Sequence, residues 1–584
     1  MKNTNFRFTW KIGGEAGFGI KSAGLSFAKA LMRAGYETFD YSEYPSLIRG
    51  GHNTYQVTVS EEPIKSTDSA IDILVALNKT TIDKHVAELV KGAVVLYDGS
   101  EIKLGKIARQ DIQFLSVPFK EMAAQTGGDI MRNTVAMGAT MAVINLPLKI
   151  LAQVTEEIFA GKPQVIENNL KAIELGYEYV KKHHNEFVFK HELVVEKKPQ
   201  RMLIPGNEAL SMGALAAGLN FFAAYPMTPA TSVLTYLAAK GVEQGVVVKH
   251  AEDEISVINM ALGAAHVGAR AMVATSGGGF ALMSEGLGLA AVSETPLVLI
   301  NVQRPGSATG MPTWTDQGDL RFVLHAGQGE FPRIILAPGD VDECFYMAAQ
   351  AFNLAEKYQT PVIILSDKFL AEGSATVPVF DEKAVEIDRG KLLTEKTIPA
   401  SYRRYRLTAD GVSPRALPGM KGGIYHADSY EHSEYGFSSE DMGERIEQVN
   451  KRAKKLEAAR QDLDGATLYG SSKALITLVG WGSVKGPIID ALNILPEKIS
   501  AKFNFLHVNV IWPLPSQAIK KYLNSKKKLL GKSQRLVLVE NNSEAQLAAL
   551  IRQETGVDIT ERILRYDGRP FFANELAEDF KNLL

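Results

Sequence analysis

The run YPMTP at residues 225–229 sets one threonine, Thr228, between two prolines after the apolar stretch FFAA. Proline fixes φ and stiffens such a loop, and Ala230, Thr231 and Ser232 then open a helical pattern. A hydroxyl held rigidly beside a helix N-terminus can donate to a carboxylate or carbonyl oxygen. The same residues would also serve as an ordinary cap after a proline turn. Further on, Glu252, Asp253 and Glu254 stand together at the end of the strand-like run 246–250. Acids in that place face solvent, cap the next helix or do chemistry, because burying them unpaired is costly. Small residues at Ala261, Gly263, Ala264 and Ala265 allow a helix or a cofactor to approach closely. TSGGGF at 275–280 is a glycine-rich strand–helix junction at which backbone could approach a ring or a phosphate. Arg304 follows the apolar run 297–302 and precedes Pro305-Gly306. The C-terminal edge of a parallel strand is where such sheets bind ligands, and a guanidinium suits a carboxylate. Thr313 lies on the same loop. Together these residue types suit a small anionic substrate held beside a cofactor that a carboxylate activates.

The elements that must position them read as α/β. Runs rich in Val, Ile and Leu at 246–250, 271–275, 297–302, 333–337 and 361–367 alternate with helical patterns, as in a doubly wound parallel sheet covered on both faces. Before them, a segment to about residue 190 carries strand-like runs at 71–77 and 92–98 and a long helical pattern from 166 to about 184, again α/β. Its glycine-rich GGEAGFGIKSAG at 13–24 joins a strand to a helix. That loop either binds an anion through helix N–H groups or is a tight turn with no ligand. Arg49, before Gly50-Gly51, either acts there or is a solvated charge. Residues 191–201 read as a linker. Residues 381–472 hold an excursion rich in turn formers and a charged helix at 440–462, and the α/β pattern returns over 473–584.

A chain of 584 residues exceeds one hydrophobic core. Its 46% hydrophobic and 22% charged residues, with a net charge of -2, are those of a soluble globular protein with no global field for nucleic acid or an anionic membrane. No apolar run of about 18 residues suggests a membrane span. No secretion signal is evident at the N-terminus, so a cytoplasmic location is expected. The single cysteine, Cys344, reads as a packed core thiol. One cysteine cannot hold an iron–sulfur cluster, which takes about four.

Residues 202–584 resemble the alpha subunit of 2-oxoacid:ferredoxin oxidoreductases. The motifs that carry this are GNEALSMGALAAG, YPMTPATS, AEDEISVINMALGAAHVGARAMVATSGGGF, RPGSATGMPTWTDQGDL, PVIILSD, VENNSEAQL and RYDGRPF. GGEAGFG and the RGG at 49–51 resemble the gamma domain of the same enzymes, so the whole chain looks like a gamma–alpha fusion. The resemblance implies a gamma-type α/β domain (1–190), a thiamine pyrimidine-binding-type doubly wound domain (202–380) and a transketolase C-terminal-like domain (473–584). The implied activity is oxidative decarboxylation of a 2-oxoacid with coenzyme A and thiamine diphosphate, giving an acyl-CoA, carbon dioxide and reduced ferredoxin. It assigns Thr228 to the 2-oxoacid, and Arg304 and Thr313 to its carboxylate. Glu254, with Glu252 as the fallback, falls to the aminopyrimidine of thiamine diphosphate. Tyr225, Pro226, Gly277 and Gly278 are placed against that cofactor. The family's usual YPITP has Met227 here in place of isoleucine.

Parts the chemistry needs are absent from this chain. The G-D-G motif that holds the diphosphate through Mg2+ is not found: Gly318-Asp319 continues to Leu320, and Gly339-Asp340 to Val341. That motif and the [4Fe-4S] ligands are expected on a separate beta subunit, in a heterodimer or an (alpha-beta)2 heterotetramer, with no metal site on this chain. A self-sufficient thiamine enzyme is disfavoured by the missing motif. A non-catalytic nucleotide-binding subunit leaves YPMTP, Glu254 and Arg304 unexplained. The expected substrate is 2-oxoglutarate, with pyruvate or branched-chain 2-oxoacids as the alternative.

Overall fold

Short runs of β-branched and aliphatic residues, buried on both faces, make the strands that organise the molecule. A computed structural model describes residues 6–47, 50–105, 109–394, 398–523, 528–529 and 532–584. Among them, the sheet that carries the candidate site has seven strands. Their order is Val510–Trp512, Ile334–Leu336, Pro361–Asp367, Leu297–Gln303, Ala271–Thr275, Phe221–Ala224 and Val247–His250. All neighbours are parallel except the first pair. Right-handed crossovers through helices are what parallel neighbours require. Pro361–Asp367 and Leu297–Gln303 are buried along their whole length, as sheets covered on both faces demand. Helix Val341–Tyr358 covers one face and packs on helix Gly206–Ala216. Gly213 permits this contact, since a side chain there would strike the carbonyl of Phe345.

The chain leaves Phe221–Ala224 toward the edge strand Val247–His250 and then returns past it to Ala271–Thr275. The strand order therefore reverses between Phe221–Ala224 and Ala271–Thr275. Ligands of open α/β sheets bind outside the strand C-termini at such a reversal. YPMTP follows one of the two strands and SGGGF the other.

A second sheet of eight strands runs Gln113–Ser116, Leu89–Tyr97, Ile71–Ala76, Arg7–Glu15, His52–Ser60, Glu37–Glu43, Ser374–Pro378, Arg201–Pro205. Its last two members come from the flanks of the site-bearing segment. The linker expected at 191–201 lacks regular structure up to residue 200, but Arg201 already belongs to a strand of this sheet. Likewise Ser374–Pro378, inside the expected 202–380 segment, pairs with Arg201–Pro205 and touches Glu37–Glu43. The expected start of that segment thus falls within a strand of the sheet it shares with the preceding one, and its expected end falls two residues past another. The third sheet, Ala466–Gly470, Phe503–Val508, Ile476–Trp481, Arg535–Glu540, Glu561–Leu564, is parallel apart from its first strand.

Between residues 385 and 441 the described chain has bends, turns and isolated bridges only. The helix that follows, Met442–Asp462, carries many charges, yet Lys451, Arg452 and Lys455 are buried. Lys451 and Lys455 both pair with the fully buried Glu294 just past the end of helix Gly277–Val292, and Arg404 donates to the Glu294 carbonyl at 2.8 Å. Burial alone would raise the Glu294 carboxyl, but the ammonium groups of Lys451 and Lys455 and the guanidinium of Arg404 hold it well below the usual carboxylate range. The excursion is therefore clamped to the rear of the site-bearing helix by charge.

Candidate active site

Glu254 opens helix Glu254–His266, and the residue before it frees it for other work. Asp253 has extended backbone and caps the helix, its carboxylate accepting from the Ser256 N–H at 2.7 Å. An acid at the first helical position needs no cap bond of its own. Glu254 is 4% exposed, and its Oε1 is buried without any hydrogen-bond partner. Glu252, the fallback, is exposed. A buried carboxylate oxygen left unsatisfied costs free energy unless a donor completes it, and no described residue supplies a donor to Glu254 Oε1.

Backbone closes around that oxygen. A Cβ on Gly279 would lie 2.5 Å from Glu254 Oε1 and would also strike Thr275 Oγ1. Only glycine lets helix Gly277–Val292 start this close to the carboxylate. Met227, from the proline loop, lies across the same junction: its Sδ accepts from the Gly279 N–H at 3.3 Å and from Thr275 Oγ1 at 3.9 Å. The methionine that stands in place of isoleucine thus joins the two loops of the strand reversal.

The proline loop is held from beneath by Asn207, whose Nδ2 donates to the Pro229 carbonyl at 2.9 Å and to Ser232 Oγ at 2.8 Å. Helix Thr231–Lys240 has Ala230 as its N-cap and no side-chain cap bond, so Thr228 is not a cap. Arg304, at the end of the strand Leu297–Gln303, donates through Nη1 to the Thr228 carbonyl at 2.6 Å. Burial lowers the Arg304 guanidinium from its ordinary value, and nearby Asp319 opposes this. Tyr225 and Pro226 are exposed at the rim, and the Tyr225 ring lies 6.4 Å from that of His250. Gly278 is exposed at the mouth, while Gly277 presses on Asp319.

The structure brings Thr228 and Arg304 together, and Glu254, Gly277 and Gly278 around one helix N-terminus. Thr313 is placed differently. It is 4% exposed and its hydroxyl donates at 2.6 Å to the carbonyl of Tyr44 in the eight-stranded-sheet segment. That bond anchors the arginine loop, as do the cation–π contact of Arg569 with Trp314 at 3.6 Å and the Thr315 N–H to Gly568 carbonyl bond at 3.1 Å. Arg49 lies outside the described residues. The sequence reading misses Asn207 and Asp319. Asn207 sits in a motif-bearing stretch but far along the chain from the loop it supports, and Asp319 looks like a failed diphosphate motif. Cys344 is buried in the core, as its helix pattern suggests.

With this geometry in place, the comparisons with known proteins fall on the same residues. Residues 212–451 match the family described as pyruvate flavodoxin/ferredoxin oxidoreductase, thiamine diP-bdg. Residues 9–179 match the family described as pyruvate ferredoxin/flavodoxin oxidoreductase. A 2-oxoacid:ferredoxin oxidoreductase subunit alpha from a Sulfolobus species is 33% identical, over 98% of this chain and 96% of its own. The chain belongs to the 2-oxoacid:ferredoxin oxidoreductase alpha subunits. A 2-oxoglutarate oxidoreductase subunit from Mycobacterium tuberculosis is 28% identical over 99% of this chain and 91% of its own. The solved 2-oxoglutarate:ferredoxin oxidoreductase from Magnetococcus marinus, with 2-oxoglutarate, coenzyme A and succinyl-CoA bound, superposes with a TM-score of 0.89 at 31% identity, over 99% of both chains. This oxidoreductase subunit therefore carries a thiamine diphosphate-binding segment, and Thr228, Glu254 and Arg304 all lie in it. No helix among the described residues is long and apolar enough to cross a membrane.

Proposed function

We propose that this chain, with a beta subunit, catalyses coenzyme A-dependent oxidative decarboxylation of 2-oxoglutarate to an acyl-CoA and carbon dioxide, with reduction of ferredoxin. The observation that carries the reading is the buried, unpartnered Oε1 of Glu254 against the Gly279 backbone at the strand reversal. Thiamine diphosphate, when bound, supplies the carbanion chemistry of decarboxylation. Glu254 is suited to hold a proton-bearing ring nitrogen of that cofactor, which favours the tautomer able to remove a proton. Met227 and Gly279 shape the floor, and Tyr225, Pro226, Gly277 and Gly278 the walls. Arg304 orients the substrate carboxylate beside Thr228. Thr313 supports that loop through Tyr44.

The absence of a G-D-G motif supports a beta subunit that holds Mg2+ and a [4Fe-4S] cluster, in a cytoplasmic heterodimer or (alpha-beta)2 assembly. We take residues 1–190, 202–380 and 473–584 as the three domains, joined by 191–201 and 381–472, with the first and second sharing strands. For coenzyme A, a cavity of about 540 Å3 at the glycine loop is the place we favour. Gly17, Gly19, Lys21 and Tyr44 line it, and Tyr44 is also the partner of Thr313 on the substrate loop. The likeness to a 2-oxoglutarate-bound enzyme favours that substrate over pyruvate or branched-chain 2-oxoacids.

Purified alone, the chain should show no turnover, and addition of the beta subunit should restore it; turnover by the chain alone would refute the shared site. A panel of 2-oxoacids on the reconstituted complex then identifies the substrate by kcat/KM. In that complex Glu254→Gln should lower kcat by about 10²- to 10⁴-fold, the range for a lost acid–base contact. Arg304→Ala should chiefly raise KM. Unchanged kinetics in either variant would remove that residue from its role.

A further inference from the structure

Two C-terminal motifs, VENNSEAQL at 539–547 and RYDGRPF at 565–571, supply no group to the chemistry above. Both lie against the loop that leaves the strand Leu297–Gln303 at Arg304, and the fully buried Gln317 is where they hold it. The Gln317 N–H donates to the Asn541 carbonyl at 2.8 Å, and its own carbonyl accepts from Asn542 Nδ2 at 3.0 Å. The side chain reaches between the ends of two neighbouring strands of the third sheet, Ile476–Trp481 and Arg535–Glu540. Nε2 donates to the Trp481 carbonyl at 2.9 Å, and Oε1 accepts from the Asn541 N–H at 3.0 Å. Asn541 is fixed in turn by its Nδ2 bond to the Arg565 carbonyl at 2.7 Å. Gln317 is therefore bonded to the third segment through its backbone N–H, its carbonyl and both ends of its amide.

Hydrogen bonds lead from this clasp back to Arg304. The Trp314 N–H donates to the Met311 carbonyl at 3.2 Å, and the Met311 N–H donates to the Pro305 carbonyl at 3.0 Å. The loop is thus closed on itself immediately after Arg304. A Cβ on Gly310 would lie 1.7 Å from that Pro305 oxygen, so only glycine allows the closure. At the base of the loop the Asp319 N–H donates to Gln303 Oε1 at 2.9 Å, and Gln303 is held by its Nε2 bond to the Ser366 carbonyl at 3.0 Å. Arg304 stands between these two closures. The stretch 314–317 that joins them is gripped by the third segment, through Arg569 on Trp314, Gly568 on Thr315 and the bonds of Gln317.

We propose that the third segment positions Arg304, with Gln317 as the positioning residue at the centre of the clasp and Arg569 at its edge. This rests on the reading of Arg304 as the ligand of the substrate carboxylate. Loosening the clasp should weaken the hold on 2-oxoglutarate by way of Arg304 and by no other route. A merely structural residue would act the same whether or not Arg304 is present.

The test is a double-mutant cycle on the reconstituted complex. Gln317→Met keeps the length of the side chain, suits a buried place and drops both amide bonds. Arg569→Ala removes the stacking on Trp314 from a partly exposed side chain, and carries the test if Gln317→Met fails to assemble. Each is measured with Arg304 present and with Arg304→Ala. With Arg304 present, each should raise KM for 2-oxoglutarate about ten-fold, below the roughly 10²-fold that a misplacement of about 1 Å can cost. With Arg304→Ala, the same changes should move KM by less than about two-fold, as expected when both act through one group. If Arg304→Ala raises KM but both clasp variants leave it unchanged, or repeat their effect in the absence of Arg304, the role of the clasp alone is overturned. KM unmoved by Arg304→Ala would overturn the parent assignment and this inference with it.

Discussion

Asp253 and Glu254 are neighbours of the same chemical class with opposite fates. Asp253, with the shorter side chain, bends back to cap its own helix, and Glu254 is left buried with a free oxygen. The division depends on Gly279, which lets the facing helix start against that oxygen. Gly279→Ala would drive a methyl into Thr275 Oγ1 and Glu254 Oε1, with a stability loss of about 1–3 kcal/mol, as expected for overpacking. It should also raise the thiamine diphosphate concentration needed for half-maximal activity of the complex. Thermal melting and a cofactor titration check the two effects; a variant that melts and titrates like wild type would show that the contact is loose.

Strands in the middle of a sheet are legible because they are buried on both sides. The runs 271–275 and 361–367 coincide with observed strands to the residue, and FFAA is the strand Phe221–Ala224. Glu37–Glu43, Arg201–Pro205 and Ser374–Pro378 give no such signal, since they are short or interrupted by polar residues and take their places by pairing with His52–Ser60 or with one another. Asp40 shows what holds them. Its buried carboxylate accepts from the Ser374 N–H at 2.8 Å, tying Glu37–Glu43 to Ser374–Pro378. Burial lifts this carboxyl from 3.8 to about 6, outweighing the lowering by Ser374 and Tyr55. Because the folded value lies above the unfolded one, the protonated form favours folding, and stability is lost as pH rises from about 4 through 6. The loss approaches ~3 kcal/mol, because each pH unit separating the folded and unfolded values is worth about 1.36 kcal/mol. Asp40→Asn lacks that loss, so its melting temperature relative to wild type should climb between pH 4 and pH 7 and then level off. A constant difference across that range would show that Asp40 is ionised without penalty.

Across the molecule, the segments that carry the three large sheets meet at one cluster of charge. Asp340 caps helix Val341–Tyr358 and pairs with both Lys65, from the eight-stranded-sheet segment, and Lys485, from the last one, the latter at 2.7 Å. Lys485 also pairs with Glu343 at 2.6 Å. Burial would raise the Asp340 carboxyl, but Lys485 and Lys65 hold it well below the usual carboxylate range. Removing one partner of a buried pair leaves charge uncompensated, at a cost of about 3–5 kcal/mol. Asp340→Ala should therefore lower the melting temperature and separate the unfolding of the first segment from the rest, visible as a second calorimetric transition. A single transition at the wild-type temperature would mean that apolar packing alone joins the segments. The same closeness of segments brings Tyr44 to Thr313 and Arg569 to Trp314, so the arginine loop is braced by parts of the chain hundreds of residues apart.

Residue types and their order were enough to read an α/β chain, an acid and an arginine at the ends of its strands, and the family to which it belongs. Those features are local: prolines stiffen, glycines permit, and aliphatic runs bury wherever they occur. Which acid is left unsatisfied, that Thr313 braces a loop through Tyr44, that Met227 bridges two loops, and that Asp319 bonds Gln303 were settled only by the fold. Each depends on burial and on a partner distant in sequence, and neither is written in the neighbourhood of the residue itself.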